Sequence, residues 1–107
     1  MKIEMLAIGR NEEILQTLVR LINKNEQWNG VGAGSDEAAM RLFDEVRPSI
    51  ILLSNGIDAV SEEKLRRYFA GRHPAVSIIQ HYGGGSGLLT NEILMTLDAN
   101  NRALEEG

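Results

Sequence analysis

The chain has 107 residues, 43% of them hydrophobic, and its 15 acidic and 11 basic residues give a net charge of −4. This length predicts one domain, over residues 1–107, and the acidic balance argues against nucleic acid as a direct partner, because phosphate-backbone binding needs clustered lysines and arginines. The absence of cysteine excludes disulfides and thiolate chemistry, and two histidines are too few for a multi-histidine metal site.

The apolar stretch at the amino terminus is interrupted by Glu4 and ends by Gly9. It is too short for a signal peptide or a membrane span. We therefore expect a cytoplasmic protein with no membrane partner. The one dense basic spot, between residues 64 and 73, is typical of a solvated helix face.

The first half of the chain alternates strand and helix patterns. A mostly apolar run over residues 3–8 predicts a buried strand, and Asn11 predicts the N-cap of a helix with acidic residues in its first turn. Residues 28–33 predict a second strand, which two glycines weaken. Ser35 then predicts the cap of a second helix that ends before Pro48.

The second half continues the alternation. Residues 49–53 give the clearest buried strand, Ser61 predicts the cap of a third helix, and residues 75–80 predict a fourth strand. Strands that alternate with helices call for a parallel sheet with helices on both faces. The predicted fold class is therefore α/β, a three-layer, doubly wound parallel sheet.

The region after the fourth strand is short. A five-stranded sheet would need another helix and another strand there, yet only the glycine-rich loop over residues 83–87 precedes the last helix, expected near 91–104. The simplest interpretation is that this loop replaces the missing helix and that residues 87–90 are a stub of the fifth strand. The alternative is a four-stranded sheet whose final helix packs directly on the sheet or on a neighbour.

No predicted strand ends in a carboxylate. The first strand is followed by Gly9 and Arg10, the third by Ser54, and the fourth ends in Gln80. In open α/β sheets, ligands and chemistry collect beyond the carboxyl ends of the strands, so these residues decide what the fold can do. Uncharged or positive residues at these positions indicate a domain that binds or docks.

In order and spacing, these segments resemble the receiver domain of bacterial response regulators over essentially the whole chain. The resemblance implies a flavodoxin-like (CheY-like) fold and assigns a family role to each strand end. Gly9 and Arg10 stand where the family has two aspartates, and Ser54 stands where it has the phosphorylated aspartate. Gln80 occupies the position of a switch threonine or serine, and Asn91 that of the invariant lysine.

These substitutions remove the chemistry of a receiver. Phosphoryl transfer to an aspartate needs Mg²⁺ on oxygen ligands and a cation over the phosphoryl oxygens. Arg10 repels a metal ion, and Ser54 offers an uncharged hydroxyl. We therefore predict a pseudo-receiver related to two-component systems that needs no metal or cofactor and is not an enzyme. It would act by contact with a protein partner in signal transduction or transcriptional control.

Two interpretations of Arg10 remain open. Its guanidinium either points into the cleft as a fixed positive charge that mimics the metal or a lysine, or it pairs at the surface with Asp58 or a nearby glutamate. The alternative function is a small flavodoxin-like module that binds an anionic metabolite at the strand ends. Its pocket would be lined by Arg10, Ser54, Asn55, His81, Gly83, Gly84 and Gly85.

The last helix has a broad apolar stripe that includes Ile93, Leu94 and Leu97. If one helix of the usual complement is missing, part of a sheet face loses its cover, and a large apolar patch usually marks an association surface. We therefore expect a homodimer formed through the last helix and the shortened region.

Overall fold

The computed structural model describes residues 2–54, 56–81 and 86–106. In chain order the elements are β1 (Ile3–Ile8), α1 (Glu12–Asn23), β2 (Trp28–Ala33), α2 (Asp36–Val46), β3 (Ile50–Leu53), α3 (Ala59–Arg72), β4 (Ser77–Gln80) and α4 (Ser86–Glu106). The strands form one parallel sheet in the order β2-β1-β3-β4. The predicted α/β class and doubly wound parallel sheet are confirmed.

Helices α1, α2 and α3 begin at polar caps, two of which were predicted correctly. The Asn11 side chain accepts a hydrogen bond from the backbone N–H of Ile14, and Ser35 caps α2 in the same way. The prediction of Ser61 as the cap of α3 is wrong. Asp58 is the cap, and its carboxylate accepts the Ser61 N–H at 2.8 Å, because a carboxylate at this position also meets the positive end of the helix dipole.

Each face of the sheet carries its own core. Helices α1 and α4 cover one face, where the buried residues are Met5, Ala7, Leu15, Leu18, Ile22, Trp28, Ile50, Leu52, Leu89 and Ile93. Helices α2 and α3 cover the other, where they are Leu6, Ile8, Ala33, Ala39, Phe43, Ile51, Leu53, Leu65 and Phe69. Successive strand residues alternate between the two cores, as the pleat of a sheet requires.

The first of the two interpretations of the region after β4, a stub of a fifth strand, is wrong. Residues 87–90 lie inside α4 and are not a stub of a fifth strand. The reason is the helical period: Leu89 and Ile93 are four residues apart and both are buried against the sheet. The alternative, in which the final helix packs directly on a four-stranded sheet, is confirmed.

Strand β4 is also shorter than predicted, since it begins at Ser77. The backbone N–H of Val76 donates to the carbonyl of His73 at 3.0 Å, and this turn ends α3 before the ladder with β3 starts.

None of the helices over residues 2–54, 56–81 and 86–106 combines the length and apolar character that crossing a membrane requires.

Candidate functional site

Three residues follow one another across the carboxyl edge of the sheet: Gly9 after β1, Ser54 after β3 and His81 after β4. The Ser54 N–H donates to the Ile8 carbonyl at 2.9 Å, and the His81 N–H donates to the Leu53 carbonyl at 2.8 Å, so the parallel ladders continue into these residues. A Cβ atom at Gly9 would lie only 2.8 Å from the Ser54 hydroxyl oxygen. The absence of a side chain at Gly9 therefore lets Ser54 lie against the end of β1.

Ser54 and His81 are both buried, with 3% and 4% of their surface exposed. The His81 ring nitrogen Nδ1 lies 2.7 Å from the Glu92 carboxylate of α4. This contact ties the end of β4 to the last helix, and it fixes the orientation of the imidazole ring. The side of the cleft under α4 is thus occupied by a histidine–carboxylate pair.

Arg10 belongs to a separate group on the α2 side of the cleft, which we call the Asp36 cluster: Arg10, Asp36, Ser61 and Lys64. The guanidinium of Arg10 contacts Asp36 at 2.5 Å and donates to the carbonyl of Gly34 at 3.3 Å. The other carboxylate oxygen of Asp36 accepts from the Ser61 hydroxyl at 2.9 Å and lies 3.1 Å from the Lys64 ammonium. The cluster joins the ends of β1 and β2 to the first turns of α2 and α3.

The surroundings of Asp36 stabilise its ionised form. The hydrogen bond from Arg10 is the largest cause, Ser61 and Lys64 add to it, and together they lower the pKa of Asp36 from 3.8 to about 2. Burial acts in the opposite direction but is outweighed. Asp36 also lies in the first turn of α2, where the helix dipole favours a negative charge.

This depressed pKa predicts how the Asp36→Asn variant responds to pH. Because the pKa in the folded state lies below the unfolded value, the carboxylate stabilises the fold above about pH 4, and the contribution is lost as pH falls toward 2. After allowance for solvent screening, we expect the variant to be less stable than the wild type by about 1–2 kcal/mol at neutral pH and by much less near pH 2. Urea unfolding across this range measures the difference.

Glu37→Gln is the matched control, since Glu37 is exposed in the same turn. It should change the free energy of unfolding by less than about 0.5 kcal/mol at every pH. A stability gap for Asp36→Asn that stays constant down to pH 2 would contradict the electrostatic role of Asp36.

The acidic residues that contact the strand ends or their loops already have partners. Asp36 pairs with Arg10 and Lys64, Asp58 caps α3, and Glu92 contacts His81. Across residues 2–54, 56–81 and 86–106, no three His, Asp or Glu side chains are grouped so that they could hold a metal ion. In the described part of the chain, the acidic side chains of the cleft therefore hold neighbouring strands and helices together.

The other predicted positions are distributed unevenly. The Gln80 side-chain amide donates to the Leu53 carbonyl at 3.1 Å, which places it at the end of β4. Asn91 is exposed on α4, so its alignment with a strand-end lysine is wrong, because the segment that was aligned as a strand is helical. Asn55 and the three glycines Gly83, Gly84 and Gly85 lie outside the described residues.

The structure places Arg10 and His81, two members of the predicted anion pocket, in different groups. Arg10 turns to Asp36 at the start of α2, whereas His81 turns to Glu92 on α4. For Arg10, the proposed pairing with Asp58 or a glutamate is wrong, since its carboxylate partner is Asp36. Asp58 is instead used as a helix cap.

Sequence reasoning missed Asp36, Lys64 and Glu92. One signal pointed to Asp36: it follows the cap of α2, at the end of the strand that neighbours β1 in a parallel sheet. Lys64 and Glu92 lie on helices whose rotation about their own axes is fixed only by packing. Nothing in the local sequence distinguishes them from other exposed charges.

Comparison with known proteins agrees with this architecture. The chain is similar to the signal receiver domain of a protein named as a LuxO repressor from Vibrio parahaemolyticus, with a TM-score of 0.79, 12% identity and coverage of 100% of this chain and 99% of that one. A response regulator receiver domain protein from Clostridium thermocellum gives a TM-score of 0.65 and 21% identity over 90% and 75% of the two chains.

A response regulator receiver modulated diguanylate cyclase from Pelobacter carbinolicus gives a TM-score of 0.68 and 14% identity over 98% and 99% of the two chains. The sequence matches no protein-family model and no curated protein. At these low identities the likeness shows the fold alone, which is that of receiver domains.

Proposed function

We propose that this chain is a degenerate receiver-like domain that acts by protein–protein contact in signal transduction or transcriptional control, without phosphorylation of an aspartate. One observation carries the proposal: Arg10 stands where the receiver fold would need an acidic metal ligand, and its guanidinium is held in place by Asp36. The likeness to receiver domains supports the signalling role.

The electrostatics of the cleft oppose a bound Mg²⁺. A divalent cation about 5 Å from a guanidinium is repelled by roughly 2 kcal/mol in bulk water, and by roughly 7 kcal/mol at an effective dielectric constant of about 20. Asp36 does not offset this repulsion, because its charge is already shared between Arg10 and Lys64. The Asp36 cluster thus carries a net positive charge. It lies on the side of the cleft where a phosphorylatable receiver would have its acidic metal ligands.

The end of β3 lacks a phosphoryl acceptor of the usual kind. Ser54 is buried and uncharged, whereas a receiver forms an acyl phosphate on a carboxylate. The residue that follows β4, His81, is already engaged in a contact with Glu92. We infer that the domain keeps one conformation and presents a constant surface, and that it works as a non-enzymatic cytoplasmic docking module.

The direct test of this proposal is phosphorylation by a small donor. Incubation of the chain with acetyl phosphate and Mg²⁺, followed by intact-mass measurement, should show no added phosphoryl group. A phosphorylatable receiver domain treated in parallel supplies the positive control. A stoichiometric adduct on Ser54 would overturn the proposal.

The Ser54→Asp variant makes the test sharper. It restores a carboxylate at the end of β3 but leaves Arg10 and Gly9 in the positions of the two metal ligands. We therefore still expect no phosphoryl adduct. Circular dichroism is used to check that the variant is folded. Efficient phosphorylation of this variant would mean that Arg10 does not exclude the metal, and the electrostatic argument would fail.

A second copy of the chain is one partner within this proposal. Helix α4 exposes large apolar side chains, among them Leu88 and Met95. Exposed apolar residues that are grouped on one element mark association surfaces more often than isolated ones do. We infer a homodimer formed through the last helix and the region after β4.

The anion-binding alternative has weaker support. It needs Arg10, Ser54 and His81 to converge on one ligand, but Arg10 and His81 turn to separate carboxylates. An anion would have to compete with Asp36 for Arg10 and with Glu92 for His81. Docking therefore remains the function that this geometry supports best.

A further inference from the structure

Strand β4 has an outer edge that no described strand covers. It lies at one end of the sheet order and pairs only with β3 within the described residues. The N–H groups of Ser77 and His81 donate to the carbonyls of Ser49 and Leu53, so the odd-numbered residues of β4 turn toward β3. Because backbone groups alternate along a strand, Ile78 and Gln80 turn their N–H and C=O groups outward.

The opposite edge of the sheet is protected by a side chain. On β2, Gly30 turns outward, and the Asn23 side chain satisfies both of its backbone groups: the Gly30 N–H donates to Asn23 Oδ1 at 2.7 Å, and Asn23 Nδ2 donates to the Gly30 carbonyl at 3.2 Å. Among the described residues, Ile78 and Gln80 have no equivalent partner on the outer side of β4. The outer edge of β2 therefore has a side-chain partner at Gly30, whereas the outer edge of β4 has none among the described residues.

Strand β4 also lacks the residues that usually prevent edge pairing. Exposed edges are commonly blocked by lysine, proline or a bulge. Residues 77–80 contain none of these and no charge, and both Ile78 and Ile79 are only partly buried although they pack against the two cores. The edge offers both hydrogen-bonding groups and apolar surface to another strand.

Helix α4 adds an apolar surface on the same side. Leu88, Met95 and Ala99, which we call the α4 strip, share one helix face with Glu92 and are exposed, Met95 by 73%. Glu92 contacts His81 beyond β4, whereas Thr90 lines a groove with Leu21 and Trp28 near α1. The α4 strip therefore lies on the flank of α4 that is nearer to the outer edge of β4.

We propose that a second copy of this chain adds its β4 antiparallel to this edge, so that two four-stranded sheets become one continuous sheet. Ile78 of each copy would lie opposite Gln80 of the other and exchange backbone hydrogen bonds, with the two-fold axis at Ile79. The same axis brings the two α4 strips together. The inference rests on the proposed function, since it names one partner of the docking module.

A second copy fits this surface better than an extended peptide does. A peptide could pair with β4, but it would leave the α4 strip exposed. A two-fold axis covers the strand edge and the strip in one interface, because each copy presents the same two features. The uncharged edge also meets an identical edge without repulsion between like charges.

Sedimentation of the full chain tests the interface with paired variants. Ile78→Pro removes an outward N–H without breaking the ladder to β3, whereas Ile78→Ala keeps that N–H. We expect the wild type and Ile78→Ala to be dimers at tens of micromolar, and Ile78→Pro to dissociate with a Kd raised at least tenfold. Met95→Lys should weaken the dimer similarly, and Val60→Lys, at a site 79% exposed on α3, should not.

Because the chain has no cysteine, a single introduced thiol reports the two-fold axis. Residues opposite each other in a non-hydrogen-bonded antiparallel pair have Cα atoms about 4.5 Å apart, within disulfide range. Under mild oxidation, Ile79→Cys should form a disulfide-linked dimer, whereas Val60→Cys should form no disulfide-linked dimer. A monomeric wild type, or a dimer that Ile78→Pro does not weaken, would overturn the inference.

These outcomes are separable from those of the phosphorylation test. A chain that takes a phosphoryl group but still dimerises through Ile79 would contradict the proposed function and leave this interface standing. An unphosphorylated monomer would leave the proposed function standing and remove the interface.

Discussion

The Phe69→Ala variant should lose about 3–5 kcal/mol of folding free energy, which is the usual cost of truncating a buried phenylalanine. Phe69 is fully buried on the inner face of α3, and the centroid of its ring lies 4.6 Å from the ring centroid of Phe43 on α2. Removing the ring leaves a cavity between the two helices and the sheet. A domain of this size commonly has only about 5–15 kcal/mol to lose, so the variant should be close to unfolding.

The same helix presents Ser61 and Lys64 to Asp36, so the loss of Phe69 should also loosen the Asp36 cluster. Urea unfolding measures the stability, and Val60→Ala on the exposed side of α3 is the control, with an expected change under about 0.5 kcal/mol. A loss for Phe69→Ala below about 1 kcal/mol would mean that α3 is not packed on the sheet through this ring.

The Gly30→Ala variant should be destabilised by about 1–3 kcal/mol, because the core of the α1 side has no room for a methyl group there. A Cβ atom at Gly30 would lie 2.8 Å from Ile22 Cγ2 and 3.0 Å from Ile22 Cβ. Ile22 is completely buried, so it cannot turn away from the new atom. Helix α1 would have to move off the sheet, which would also disturb the bonds between Asn23 and Gly30.

Gly34→Ala is the matched control. Its Cβ would meet only the Gly9 carbonyl oxygen, at an ordinary 3.8 Å, so we expect a change within about 0.5 kcal/mol, or a slight gain from a stiffer unfolded chain. A double-mutant cycle with Ile22→Ala adds a second check. If the clash is the cause, the two changes should cost less together than the sum of the single variants, and simple additivity would contradict it.

The sequence predicted the elements that local patterns control. Strands β1, β2 and β3 and the caps Asn11 and Ser35 were predicted close to their observed positions, because each depends on residues within a few positions along the chain. The prediction was wrong where two local signals competed. Ser61 is an adequate cap, but Asp58 binds the exposed N–H groups of α3 more strongly.

The candidate site could be predicted only in part. That Arg10 and Ser54 lie at strand ends follows from the order of the strands alone. The partner of Arg10 does not, because Asp36 reaches it only through the pairing of β1 with β2 and the way α2 begins. The same holds for Glu92, whose contact with His81 depends on how α4 lies across the sheet.

By itself, the sequence determined the alternating α/β order and the lack of carboxylates at the strand ends, since both are properties of residue type and spacing. Only the tertiary structure decided that residues 87–90 extend a helix and that Asn23 protects one edge of the sheet. It also decided that β4 lies at the other edge, where no strand among the described residues pairs with its outer side. Hydrophobic spacing shows which residues are buried. Which group meets which across the sheet depends on strand register and helix orientation, and these emerge only when the whole chain packs.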